Sequence, residues 1–326
     1  MIPVLIDCDP GQDDALALLL ALGSSELEVL GVTAVAGNQT LDKTTANALR
    51  VLELAGRSDI PVAAGSDRPL TGELVVAADA HGETGLDGVD LPPPSAEPVS
   101  EHAKDFLAAQ LGASDRPVTL VALGPLTNVA LFLEAHPEAA AKIDGIVLMG
   151  GAIHEGNQTP SAEFNIWTDP EAAARVFGSG LDVTMVGLDV TNRAVLSNAD
   201  ADSLRGGGPV AEAAADMVDF YLGFYNDAYD HGGAPIHDAV ALAHVFRPDT
   251  LKVEPRHVEV DTSQGICRGR TVVDMRRRTV LPEPNAHVAV GIDADGFRTL
   301  LLERLRTFST TSEKATRLSF ETDGAR

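Results

Sequence analysis

The stretch Ile2-Pro3-Val4-Leu5-Ile6-Asp7-Cys8-Asp9-Pro10-Gly11-Gln12-Asp13-Asp14-Ala15-Leu16-Ala17-Leu18-Leu19-Leu20-Ala21-Leu22 decides the fold. Ile2–Cys8 is a near-continuous apolar run of strand length that turns acidic at its end. Pro10-Gly11 makes a tight turn, and Asp13–Gly23 reads as a helix that is apolar almost all round. A strand without polar alternation is buried on both faces, as in a parallel sheet, and an all-apolar helix is buried too. The unit recurs along the chain. Leu27–Ala36 reads as a strand and Leu41–Ala55 as the helix after it; Val118–Leu123, Ile143–Met149 and Val183–Leu188 are further strands. Such alternation predicts an α/β fold with an open, mostly parallel, Rossmann-like sheet flanked by helices. No internal repeat and no linker divides it, and Leu91–Pro94 and Gly206–Pro209 read as surface loops. One domain over residues 1–308 is expected, with 309–326 a polar, aperiodic tail that frays.

At 326 residues and 44% hydrophobic, the chain can bury a large core. Its 24 basic against 48 acidic residues give a net charge of −24. Such a surface repels nucleic acid polymers and anionic membranes, which leaves small molecules, metal ions or further copies of the chain as partners. Two cysteines, Cys8 and Cys267, suit a reducing compartment. The N-terminus lacks a basic signal-peptide region, and Ala15–Leu22 is far too short to span a bilayer. A cytoplasmic location is expected.

In open α/β sheets ligands bind beyond the carboxyl ends of the strands. Asp7, Asp9, Asp13 and Asp14 all fall there, at the junction of the first strand and helix. Strand alternation sets Asp7 and Asp9 on one side and Cys8 on the other. A helix N-terminus favours a carboxylate, and one acid there reads as a cap. Four acids within eight residues exceed what a cap needs, and a hard cation would offset their repulsion. A second acidic helix start follows Ile236: His237-Asp238, ahead of the apolar Ala239–Phe246. Taken alone, the pair reads as a loop histidine and an N-cap. Its likeness to the first motif makes it a candidate to close a metal shell, with His237 able to donate a proton near neutral pH. Other loops after strands carry Asn38, Leu123-Gly124-Pro125-Leu126-Thr127-Asn128, and Met149-Gly150-Gly151 leading to Asn157, Glu163, Phe164 and Asn165. Amides with one carboxylate suit the recognition of hydroxyls, which both donate and accept.

Together these residues resemble the nucleoside hydrolases of the inosine–uridine-preferring group, from Val4 to about Phe308. The resemblance rests on a complete Asp-x-Asp-Pro-Gly-x-Asp-Asp opening, followed in order by Asn38, the His81–Gly88 loop, Gly124–Asn128, Met149-Gly150-Gly151, Asn157, Glu163-Phe164-Asn165 and His237-Asp238. It implies hydrolysis of the N-glycosidic bond of free ribonucleosides such as inosine and uridine. It implies a calcium ion held by Asp9, Asp14, Asp238 and the Leu123 carbonyl, with Asp9 also the general base for the attacking water. Asp13, Asn38, Asn157, Glu163 and Asn165 would bind ribose, Met149 would line the pocket, and Asp7 would orient the other acids. His237 would protonate the departing base. Phe164, His81, Tyr225, Tyr229 and Trp167 are candidates for the base side. Tyr225 and Tyr229 share a helix face with Tyr221, a pattern that also fits core packing, while Gly232-Gly233 beyond them suggests a flap. By analogy the family implies a homotetramer or homodimer. A narrow preference for pyrimidine or modified nucleosides is the alternative within the family.

Two readings lie outside it. A magnesium phosphohydrolase of the haloacid-dehalogenase type also places Asp-x-Asp after a strand, but Gly11 stands where it wants Thr or Val, and no motif supplies a phosphate-binding lysine. A ribose-binding protein without chemistry would be expected to have lost Asp9 or His237, and both are present.

Overall fold

The computed structural model of the chain describes residues 1–228, 232–278 and 281–323, with the backbone alone at 227–228 and 309–323. Its strands are β1 (Ile2–Cys8), β2 (Leu27–Ala34), β3 (Val62–Ala64), β4 (Val118–Ala122), β5 (Ile143–Met149), β6 (Val183–Val186), β7 (Val195–Leu196), β8 (Ala234–Pro235), β9 (Leu251–Arg256), β10 (Val258–Val260), β11 (Thr271–Val273) and β12 (Ala286–Ile292). Eight of them form one sheet in the order β3-β2-β1-β4-β5-β6-β12-β9. Neighbours from β3 to β12 are parallel, and only β9 runs antiparallel, at the edge. The expected single-domain α/β sheet is therefore observed.

Alternation along β1 sends its side chains into two cores. Val4, Ile6 and Cys8 join the cluster that holds the Gln12–Leu22 and His237–Phe246 helices, while Leu5 joins the cluster on the other face. Both faces are covered, so the strands have no need of polar residues until they emerge at their carboxyl ends. Helices start where the sequence changes character. Gln12–Leu22 begins behind Gly11 and is buried through Ala21, as its composition requires. Val183–Leu188 divides, because Gly187 ends the strand and caps a short Leu188–Thr191 helix.

Chain order sets the site. From β1 the sheet grows outward through β2 and β3, and then on β1's other side through β4, β5 and β6. The switch point lies between β1 and β4, so the loops after these two strands splay apart and leave a crevice at their carboxyl ends. Across from it, the β7–β8 pair and the Ile236 N–H to Ala194 carbonyl bond (2.9 Å) fix where the His237–Phe246 helix starts. That helix packs beside Gln12–Leu22, which brings two helix N-termini together. Among the described residues, no helix is long and apolar enough to cross a membrane.

Candidate active site

The acids after β1 are buried, and each is held differently. Asp7 Oδ1 accepts from Thr33 Oγ1 (2.5 Å) and Asn128 Nδ2 (2.8 Å), which ties β1 to its neighbour β2 and to the Thr127–Ala135 helix that follows β4. Asp14 Oδ2 accepts from the Gly11 N–H (3.1 Å) and Asn38 Nδ2 (3.0 Å), and its Oδ1 from the Asp9 N–H (3.1 Å). Asp14 is thus a helix cap as well as part of a cluster. Asp9 Oδ2 accepts from the Asn38 N–H at 2.6 Å. Asp9 Oδ1 is buried with no hydrogen-bond partner among the described residues. Glycines wall this carboxyl in: a Cβ on Gly37 would stand 2.1 Å from Oδ2, and one on Gly124 2.4 Å from Oδ1.

Carboxylate oxygens of Asp13, Asp14 and Asp238 lie within 4.8 Å of one another, all buried. Asp13 and Asp14 come from the first turn of one helix and Asp238 from the first turn of the other. Two positive helix ends favour the charges there but do not neutralise them. Burial, the largest cause throughout, pushes Asp13 up to about 8, Asp14 to about 6 and Asp7 to about 7, and holds Asp9 and Asp238 well above the usual carboxylate range. The Asp14 charge adds to the rise at Asp9 and Asp13, and the Asp13 charge to that at Asp238. An all-oxygen set of this kind, with an unpartnered oxygen beside it, fits a hard divalent cation.

The cluster makes a pH-dependent prediction. These carboxyls keep protons in the folded chain that the unfolded chain releases near pH 4, so stability without metal falls as pH rises from about 4 through the raised values. A divalent cation binds the deprotonated form and should restore what is lost. An added divalent cation is expected to raise the unfolding temperature by about 5 °C or more at pH 8 over chelated protein, and by much less at pH 5. Equal gains at both pH values would remove the cluster as the cation's site.

Above the acids lies a cleft. Asp13, Asn38, Leu123, Met149, Asn157, Glu163, Asn165 and Asp238 line one part of it, and His81, Phe164, Tyr221, Phe224, Tyr225 and His237 also face it. Glu163 caps the Phe164–Thr168 helix and accepts three backbone N–H groups, from Asn165, Gly151 and Ile166. Burial still pushes it up to about 7. Asn165 Nδ2 donates to the Leu123 carbonyl (2.7 Å) and to the Met149 carbonyl (3.2 Å), joining the loops after β4 and β5. Asn157 Oδ1 accepts from the Phe164 N–H (2.9 Å).

A group of rings lines the cleft as well. His237 Nε2 lies 2.8 Å from Tyr225 Oη, and its Nδ1 lies 2.8 Å from Thr191 Oγ1. Tyr225 meets Tyr221 and Phe224 edge to face, and Tyr221 stacks on His81 at 5.4 Å. Carboxylates and amides, together with an imidazole among aromatic rings, suit a sugar joined to a planar base.

Comparison with known proteins agrees with this geometry. The family model described as inosine-uridine preferring nucleoside hydrolase matches residues 4–299. The chain belongs to the inosine-uridine preferring nucleoside hydrolase family. It is an N-glycosidase, similar at 49% identity over 311 residues to the pyrimidine-specific ribonucleoside hydrolase RihA of Shewanella sp. (strain ANA-3), with 95% of this chain and 98% of the relative covered. The RihA of Salmonella schwarzengrund (strain CVM19633) is also 49% identical, over 310 residues covering 94% and 99%. Among solved structures, a plant nucleoside hydrolase, PpNRh1, and a purine-preferring ribonucleoside hydrolase from Gardnerella vaginalis each superpose with a TM-score of 0.88 at 35% identity, covering 94% of this chain and 99% of theirs.

In this nucleoside hydrolase the structure gathers most of the residues singled out from sequence. Asp238 meets Asp13 and Asp14; Asp9 lies outside that group, and Asp9 and Asp14 do not line the cleft but both bond to Asn38, which does. Tyr229 lies outside the described residues. Trp167 packs against Gly269 and does not line the cleft. Gln12, Thr191 and Phe224 are site residues that no motif in the sequence marks. Gln12 occupies the variable position of the opening motif, and Thr191 is an ordinary residue in a four-residue helix. Only their buried hydrogen bonds to His81 and His237 mark them out.

Proposed function

We propose that the chain hydrolyses the N-glycosidic bond of free pyrimidine ribonucleosides to ribose and base, with calcium bound among Asp9, Asp14, Asp238 and the Leu123 carbonyl. The observation that carries the reading is the meeting of Asp13 and Asp14 with Asp238 beside a cleft that Asp13, Asp238 and His237 line. The RihA relatives at 49% identity support a pyrimidine base. Inosine, which the sequence resemblance put beside uridine, is expected to be the weaker substrate.

Calcium is favoured because the donors are carboxylates and a backbone carbonyl, a mixture that suits a flexible shell of 6–8 oxygens better than magnesium's strict octahedron. Bound there, it supplies positive charge that grips vicinal hydroxyls and acidifies water. Asp9 then takes the proton of the attacking water with its unpartnered Oδ1. Asp13, Asn38, Asn157, Glu163 and Asn165 orient the ribose. As the bond stretches, positive charge builds on the sugar, and the buried acids stabilise it. His237 supplies the proton that the base needs on leaving. The catalytic unit is assigned to residues 1–308, and a cytoplasmic homodimer or homotetramer accompanies the reading through the family likeness.

The test is ribose release from uridine, cytidine and inosine, with and without chelator. Uridine turnover that survives exhaustive chelation would end the calcium reading. Uridine 5′-phosphate is expected to show kcat/KM at least about tenfold below uridine, because among the described residues the cleft is lined by acids and by neither Lys nor Arg. Equal rates on the two would contradict this.

A further inference from the structure

Gln12 is buried at the start of the Gln12–Leu22 helix, with both ends of its amide engaged. Its Nε2 donates to the Asp87 carbonyl (3.1 Å) and, at longer range, to the His81 carbonyl (3.4 Å). Both carbonyls only accept, so they fix which way the amide faces. Gln12 Oε1 is thereby turned to His81 Nδ1, 2.7 Å away. An amide oxygen also only accepts, so Nδ1 must carry the hydrogen. In a neutral imidazole the other nitrogen then holds a lone pair. Burial lowers His81 to about 4, so the ring is neutral in ordinary buffers.

The ring cannot turn away from this arrangement. Gly11 lets it lie so close that a Cβ there would stand 2.3 Å from Nδ1, and Tyr221 stacks on its face. The loop that follows is pinned by Asp87, which accepts from the Glu83 and Thr84 N–H groups, and by Gln39, which donates to the Gly82 carbonyl. Nε2 has no hydrogen-bond partner among the described residues, and His81 lines the cleft among its rings.

We infer that Gln12 is a positioning residue that locks His81 as a hydrogen-bond acceptor, and that this acceptor selects nucleosides whose base offers an N–H. Uridine has its ring N3–H and cytidine its amino group; a base methylated at that nitrogen has nothing to donate. The inference rests on the proposed nucleoside hydrolysis for its ligand, but the tautomer itself can be read without turnover.

Long-range 1H–15N spectra of the full chain, labelled at histidine and saturated with calcium, provide that measurement, with His81→Gln to assign the signals. His81 is expected to show a protonated Nδ1 and an unprotonated Nε2. Added 1-methyluracil, whose one N–H is at N3, should shift Nε2 toward the hydrogen-bonded position, and 1,3-dimethyluracil, which has none, should leave it unmoved. A protonated Nε2, or equal responses to the two bases, would overturn the inference. In turnover, Gln12→Met keeps the side chain's length and removes both the lock and its donors. It is expected to raise KM for uridine about tenfold with kcat changed by less than about threefold, since a base contact made before the transition state is uniform binding. p-Nitrophenyl riboside, whose leaving group has no N–H, should be unaffected. Equal losses on both substrates would assign Gln12 a merely structural role and overturn the inference. If the wild-type protein releases ribose from neither substrate, the hydrolysis reading fails while the ring spectra still decide whether His81 is an acceptor.

Discussion

Asp9→Ala is expected to lower kcat on uridine by about 10³-fold or more while the chain keeps its fold. The fold should survive because the substitution removes one of several crowded buried charges. Asp9 Oδ2 anchors the Asn38 N–H, but Oδ1 anchors nothing, and in a buried carboxylate an idle oxygen is costly unless something binds there. Two roles would use it, ligation of the cation and removal of a proton from water. They separate experimentally. Asp9→Asn preserves the volume between Gly37 and Gly124 and still accepts from Asn38, yet it is a poor base. If Asp9 were only a ligand, raising calcium would recover turnover in Asp9→Asn, because Asp13, Asp14 and Asp238 still converge without it. A loss that persists at saturating calcium, with kcat rather than KM affected, assigns the proton transfer to Asp9. Near-normal turnover by either variant would take Asp9 out of the mechanism.

The acids after β1 were legible because an apolar strand and an apolar helix leave no bland use for four carboxylates between them. Asp238 was legible because a second acidic helix start repeated the pattern, and the structure shows why the two meet: their helices pack side by side in one core. The far edge of the sheet was not legible. β9 is half exposed and contains Pro255, so it shows no apolar run like that of β1; β12 does carry one, Val288–Ile292, but His287 interrupts its start and Gly291 its end. The aromatic group was read only partly. Tyr225 and Tyr221 sit one turn apart on a helix that serves the core and the cleft with the same face, so periodicity could not separate the two uses. Gln12 and Thr191 were invisible for a different reason. Their significance is a partner 69 or 46 residues away, which no local pattern encodes.

The partner of Thr191 leads to the second large effect. His237→Ala is expected to reduce kcat on uridine by about 10²- to 10⁴-fold, the range of a lost general acid, and to change turnover of p-nitrophenyl riboside by less than about threefold. The contrast follows from the leaving groups. A pyrimidine anion leaves N1 poorly unless it is protonated or polarised, whereas p-nitrophenolate departs without help. His237 is placed for the task among the rings of the cleft, on the first turn of the helix that also carries Asp238. One substitution of two consecutive residues therefore tests the base end, while the metal end is left intact. His237 is gripped on both sides, by Thr191 Oγ1 at Nδ1 and Tyr225 Oη at Nε2, so its imidazole is oriented before any substrate arrives. A proton leaving Nε2 would pass to the base directly or through the Tyr225 hydroxyl. Tyr225→Phe distinguishes the routes: a loss on uridine approaching that of His237→Ala puts the hydroxyl in the path, and a loss under about tenfold leaves it an orienting contact. Equal losses on uridine and p-nitrophenyl riboside in His237→Ala would show instead that the histidine shapes the cleft and transfers no proton.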